Sequence, residues 1–162
     1  MFEDSKGIIW IGTDSGLNSY DGIKLKSYTE ENGLTDNYIS KITEDIHGNI
    51  WVICTPHFSG KLSISIINTK EQIVCKLEDY CSVPEDFDPS NILVINQSYD
   101  KTLSLTSRNA SLYEYNGEAI VSFPQTKHKN VTSNWFKVSD EEFFFIQDSN
   151  SITSRKLQFY NY

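Results

Sequence analysis

The sequence predicts an all-β chain organised as a partial β-propeller of about four blades. Each blade is an antiparallel four-stranded sheet, and the first and last are incomplete. Three observations predict this. A ten-residue segment occurs twice, as Asp4-Ser5-Lys6-Gly7-Ile8-Ile9-Trp10-Ile11-Gly12-Thr13 and as Asp45-Ile46-His47-Gly48-Asn49-Ile50-Trp51-Val52-Ile53-Cys54. The copies are offset by 41 residues (Asp4 to Asp45, Gly7 to Gly48, Trp10 to Trp51), and a period of about 40–45 residues suits one blade. Runs of β-branched and aromatic residues alternate with turn signals, while no segment sustains a helical period.

The repeated residues have blade-building roles. Asp4 and Asp45 bond their own backbone in a turn, and Gly7 and Gly48 accept positive φ there. Trp10 and Trp51 supply large apolar plates between adjacent blades. In the first unit, Ile8–Thr13, Leu17–Tyr20 and Ile23–Tyr28 read as strands around Asp14-Ser15-Gly16 and the tight-turn pair Asp21-Gly22. The innermost strand of this unit is expected to be cut off. Phe2-Glu3-Asp4 aligns with a strand end, Thr43-Glu44-Asp45, so the chain is expected to be a segment of a longer one.

A polar connector, Glu30–Asn37, leads to the second unit. Its strands are Tyr38–Glu44, Ile50–Cys54, Leu62–Ile67 and Gln72–Leu77, with Ile39 and Ile42 as apolar anchors. Glu78–Ser90, with Pro84, Pro89 and five acidic residues, reads as a surface loop with room for one helical turn. The third unit has strands at Ile92–Asn96, Thr102–Thr106, Ser111–Tyr115 and Glu118–Phe123, with Leu103 where the repeat has Trp. Leu112 to Gly117 repeats the grammar of Leu17 to Gly22. After a connector carrying Lys127, His128 and Lys129, strands at Trp135–Val138, Phe143–Gln147 and Ile152–Phe159 make a fourth unit. Residues 1–162 thus read as one partial propeller with units at about 1–30, 37–80, 91–124 and 134–162, and with no kinase or membrane segment.

Composition narrows the function classes. The chain has 14 basic and 22 acidic residues, a formal charge of −8. That disfavours nucleic acid and anionic membrane, which need clustered Lys and Arg. No apolar run reaches membrane-span length, and Met1-Phe2-Glu3-Asp4 is no signal peptide. Cys54, Cys75 and Cys81 form no Cys-x-x-Cys pair, so neither a metal site nor a cofactor is expected. Cys54 reads as a small buried hydrophobe, while Cys75 and Cys81 could bridge in an oxidising compartment.

Residues 3–21, and 32–45 running on into Gly48-Asn49-Ile50-Trp51, resemble the two-component regulator propeller repeat. The resemblance is specific over roughly residues 3–55. It departs where Val52-Ile53-Cys54 replaces Ile-Gly-Thr and where the third and fourth units lose the Trp. The resemblance implies the periplasmic sensor region of a Bacteroides-type hybrid two-component histidine kinase. The parent would be an inner-membrane protein whose propellers recognise a glycan fragment and regulate transcription through a kinase absent from this chain. The alternatives are a propeller-type polysaccharide lyase or hydrolase fragment and a non-catalytic protein-interaction scaffold.

No catalytic residues are assigned. The adjacent carboxylates Glu30/Glu31, Glu44/Asp45 and Glu141/Glu142 lack the spacing that glycoside hydrolysis needs, because strand neighbours point to opposite faces. The candidate ligand residues lie on loops that should share one face of the disc: Asn32 and Asp36 in the connector, His57 and Phe58 after the second strand. His57 beside Phe58 pairs a hydrogen-bonding ring with an apolar one, which suits a sugar. The expected partners are an oligosaccharide and either a second copy meeting open blade faces or the parent's remaining blades.

Overall fold

A computed structural model describes residues 1–56, 61–98, 100–109, 111–122 and, as backbone, 134–137, 142–148 and 151–156. The chain divides into two units, residues 1–90 and 91–162. The first unit holds two four-stranded antiparallel sheets. One is β1 (Phe2–Glu3), β2 (Ile9–Thr13), β3 (Gly16–Tyr20) and β4 (Leu25–Tyr28). The other is β5 (Ile39–Glu44), β6 (Ile50–Cys54), β7 (Ser63–Asn68) and β8 (Ile73–Lys76). Strands follow chain order across each sheet, as a meander does. The second unit holds β9 (Ile92–Gln97), β10 (Leu103–Ser107), β11 (Leu112–Tyr115) and β12 (Ile120–Ser122) in one sheet. A three-stranded sheet of β13 (Asn134–Lys137), β14 (Glu142–Asp148) and β15 (Ser151–Lys156) completes the described residues.

Two elements differ from the sequence reading. The innermost strand of the first sheet is present, although only two residues long: Phe2 pairs with Trp10 and Glu3 with Ile9. The outer strand of the second sheet stops at Lys76, and Leu77–Tyr80 forms a single helical turn, α1. Burial explains the change, since Leu77 is enclosed and Tyr80 must reach inward to Asp45.

The repeated Asp does more than turn the chain. One Asp4 oxygen accepts the Lys6 and Ile8 N–H groups at 2.9 Å, and the other accepts the Trp10 indole N–H at 2.8 Å. Asp45 repeats this with His47 and Asn49 at 2.9 Å and the Trp51 indole at 3.0 Å. Its second oxygen also accepts the Tyr80 hydroxyl at 2.6 Å. Both carboxylates are buried, and hydrogen bonds replace the water they lose. Each indole is thereby aimed into the core. Trp10 packs with Leu17, Tyr28, Leu34, Ile39, Ile50, Val52 and Ile67 between the first two sheets. Trp51 is fully enclosed and meets Tyr80 edge-on at 6.2 Å.

The third sheet keeps this turn without its residues. Ser98 N–H bonds the Thr102 carbonyl and Lys101 N–H bonds the Ser98 carbonyl, as Asp4 does with Ile8 and Gly7 does with Asp4. Ser98 therefore stands at the Asp position and Lys101, with φ +64°, at the Gly position. Register corrects the Trp position too. Leu103 pairs with Gln97 and Tyr115 as Ile9 pairs with Glu3 and Tyr20, so Ser104, not Leu103, occupies the place of Trp10. With carboxylate and indole both replaced, Ser98 Oγ is the buried side-chain polar atom left without a partner among the described residues.

Two glycines separate crowding from backbone strain. At Gly16, φ +119°, an added Cβ would lie 2.5 Å from the Tyr28 carbonyl oxygen of the adjacent strand. At Gly22, φ +91°, it would meet nothing within 4 Å. Gly22→Ala should cost about 1 kcal/mol of unfolding free energy, from the left-handed backbone alone. Gly16→Ala should cost roughly 3 kcal/mol, because β4 must also shift. Urea unfolding followed by tryptophan fluorescence measures the difference.

Candidate ligand-binding face

The connector between the first two sheets is built to hold its shape. After Tyr28 the chain makes a 3-10 turn, Glu30–Asn32, and reverses at Gly33 with φ +102°. Asn32 Oδ1 accepts the Thr29 N–H at 3.0 Å and the Thr29 hydroxyl at 3.3 Å, closing the turn. Leu34 then dips into the core. Thr35 anchors the connector to β7: its N–H donates to Ser65 Oγ at 2.9 Å, and its hydroxyl lies 2.8 Å from that of Ser63. Asp36 Oδ1 accepts the Tyr38 N–H at 2.7 Å, a local Asx turn.

Neighbouring loops join it. The Gly16 N–H donates to the Asn37 carbonyl at 2.8 Å, tying in the Asp14–Gly16 turn. The Thr55 N–H donates to the Tyr38 carbonyl at 3.0 Å, tying in the segment after β6. Ser40 and Thr55 hydroxyls meet at 3.0 Å beside it. His57 and Phe58 lie outside the described residues, as does the Lys127–Lys129 cluster.

Asn32 lines a groove of about 350 Å³ between the outer strands β4 and β8, and Asp36 is not among the residues that line it. Lys26, Ser27 and Tyr28 form one wall, and Gln72, Ile73 and Val74 the other. The Lys26 ammonium sits 4.7 Å from the Tyr28 ring centroid and donates to Gln72 Oε1 at 3.0 Å. The Lys26 ammonium and Asn32 amide therefore bring polar groups to one concave surface, while the Ser27 hydroxyl turns to the other face of its sheet and donates to Asn18 Oδ1 at 2.6 Å. Lys26 and Gln72 carried no motif in the sequence, because the groove exists only once two blades are side by side.

A second hollow, about 230 Å³, opens where the close-packed strands β2 and β5 meet. Gly12, Ile39, Ser40 and Lys41 line it. A Cβ at Gly12 would sit 2.6 Å from Ile39 Cγ2, so glycine is what admits β5. Partial desolvation pulls the Lys41 ammonium below its ordinary pKa.

Of the adjacent carboxylate pairs, Glu44 and Asp45 are already engaged. Glu44 accepts the Ser5 N–H at 3.2 Å and also the Ser5 hydroxyl, while Asp45 holds Trp51 and Tyr80. Among the described residues no cluster of three or more His, Cys, Asp or Glu is placed to hold a metal, and no helix is long and apolar enough to cross a membrane.

No family model matches the chain, and no curated protein matches it. Solved structures do. The chain is similar to the extracellular domain assigned to hybrid two-component system BT4673 of B. thetaiotaomicron, with TM-score 0.63 and 21% identity over 96% of this chain and 23% of that one. It is similar to the corresponding domain of BT3049 from the same organism, with TM-score 0.65 and 16% identity over 96% and 22%. It also resembles a catalytically inactive virginiamycin B lyase from Staphylococcus aureus with quinupristin, with TM-score 0.59 and 19% identity over 99% and 55%. The chain spans less than a quarter of the two extracellular domains. At these identities the likeness concerns fold: an all-β partial propeller.

All three cysteines are free, so Cys75 and Cys81 are unbridged. Burial pushes the Cys54 thiol up, outweighing hydrogen bonds from Thr35 and the Asp36 backbone. Cys75 is raised by burial and then by Asp79 and Glu71. The thiolate is the nucleophile, so a raised pKa slows alkylation at a given pH. With iodoacetamide near pH 8, native Cys54 should label only as fast as the protein unfolds, and Cys75 more slowly than a free thiol. Peptide mapping over time checks both; rapid native labelling of Cys54 would contradict its burial.

Proposed function

We propose that the chain is part of the extracytoplasmic, periplasmic sensor region of a two-component histidine kinase, where it recognises a ligand without transforming it. The observation that carries this reading is a coincidence of independent signals. The Asp-x-x-Gly-x-apolar-Trp repeat points to the regulator propeller family, and the fold is shared with two extracellular domains of hybrid two-component systems. The membrane anchor and kinase would belong to the parent protein.

The ligand class we infer is a glycan fragment, bound in the groove between β4 and β8. A sugar offers hydroxyls to the Asn32 amide and the Lys26 ammonium, and an apolar ring face to Val74. A lyase-like reading has one observation in its favour, the similarity to virginiamycin B lyase. Two of the carboxylates it could use, Glu44 and Asp45, hold the fold instead.

Asn32→Asp separates ligand contact from folding. It keeps the Oδ1 acceptor for Thr29 and removes the amide donor. Calorimetric titration with a panel of plant and host oligosaccharides should find a binder whose affinity falls about tenfold in this variant, a loss of about 1.4 kcal/mol, with an unchanged melting temperature. Absence of binding across the panel, or binding indifferent to Asn32→Asp, would overturn the groove as the site. Turnover of an oligosaccharide would overturn the non-catalytic reading.

A further inference from the structure

The groove between β4 and β8 has a charge as well as a shape. Lys26 is the one ionised side chain among the described residues that line it. The chain has 22 acidic residues, yet no carboxylate belongs to that lining. Glu30, Glu31 and Glu71 are close in sequence to Asn32 and Gln72, but none of them is part of the wall.

Two uncharged partners hold the Lys26 ammonium in place without cancelling its charge: Gln72 Oε1 at 3.0 Å and the Tyr28 ring, its centroid 4.7 Å away. Gln72 is itself fixed. Its Nε2 donates to the Thr69 carbonyl at 3.0 Å, and its backbone N–H to the Asn68 carbonyl at 2.8 Å. Its φ of +59° is a left-handed conformation that is costly for a residue other than glycine. The hairpin carries that strain at the residue whose side chain aims an acceptor at Lys26. Beyond the Gln72 end of the groove a second ammonium is held in the same way, with Lys6 donating to Thr69 Oγ1 at 3.0 Å. The first sheet thus reaches across to the β7–β8 hairpin with two cations, each resting on a neutral oxygen.

We propose that the groove selects an acidic glycan, whose carboxylate or sulfate group meets the Lys26 ammonium. The proposal rests on the reading of the groove as a glycan site and adds the charge of the ligand. A neutral sugar is served by amides and hydroxyls alone; an oriented ammonium with no carboxylate beside it complements an anion. Lys26 is exposed in the free protein, where an ion pair in water is worth little. A sugar ring lying over Val74 displaces water from the groove and strengthens the attraction. The Gln72 and Tyr28 contacts fix the ammonium beforehand, so less side-chain freedom is lost on binding.

The test titrates the full chain calorimetrically with two matched pairs of ligands. One pair is an oligogalacturonide and its carboxyl-reduced form; the other is a sulfated galactan oligosaccharide and its desulfated form. In low salt, at least one acidic member should bind about tenfold or more tightly than its neutral partner, and the ratio should shrink in high salt. A preference within the first pair identifies a carboxylate ligand, and within the second a sulfate. Lys26→Gln should bring the ratio to within about twofold of one, with the melting temperature within about 2 °C of wild type. Equal binding of acidic and neutral members, or a preference that survives Lys26→Gln, overturns the proposal while leaving the groove a glycan site. Binding by none of the four overturns it too, and the wider oligosaccharide panel then decides the glycan reading separately.

Discussion

The hydrogen bond that a tryptophan indole donates to a buried aspartate is the contact on which the first unit depends. One carboxylate oxygen closes the turn by taking two backbone N–H groups, and the other fixes the direction of the largest apolar side chain nearby. A buried carboxylate without partners would be costly; here it accepts two backbone N–H groups and the indole N–H, so carboxylate and turn stabilise each other. The third sheet shows what happens when both ends are lost together. The turn persists, Ser104 takes the indole's place, and Ser98 Oγ is left buried without a partner among the described residues. There Asp100 Oδ1 accepts the Thr102 N–H at 3.1 Å and its hydroxyl at 2.7 Å, so a different carboxylate closes the turn while the inward-directed indole is lost.

That clasp reaches the candidate site through packing. Trp10 lies 5.9 Å from Tyr28, ring to ring, and Tyr28 floors the groove in which Lys26 and Asn32 stand. The groove's two walls come from different sheets, so its width is set by the core between them. Glu44 adds a polar tie at the inner end of the same interface, and the Thr35 hydroxyl cluster pins the connector to β7. A loop face held this way is a rigid platform, which lowers the ordering cost of binding.

Much of the fold is legible in the sequence because each blade carries local signals. Asp21-Gly22 and Asn116-Gly117 turn hairpins whose preceding tyrosines, Tyr20 and Tyr115, each donate to the following glycine carbonyl. What was not legible is non-local or ambiguous by one residue. The third repeat has neither the Asp nor the Trp to fix its register, so Leu103 reads as the Trp position although strand pairing puts Ser104 there. The helical turn at Leu77 depends on Asp45 sitting 35 positions away from Tyr80. The groove residues Lys26 and Gln72 are 46 positions apart and meet only after both blades form. Asp36 looked free for a ligand, yet its carboxylate serves its own loop.

A double-mutant cycle between Asp45 and Trp51 tests the central claim most directly. Asp45→Asn, Trp51→Phe and the double variant are unfolded in urea, and the coupling free energy is read from the four stabilities. If the carboxylate–indole contact organises the blade, the coupling should be about 1–2 kcal/mol, as expected for a buried charge-assisted hydrogen bond. Additive losses, with a coupling within about 0.3 kcal/mol of zero, would show that the two side chains contribute independently and that the clasp does not organise the fold.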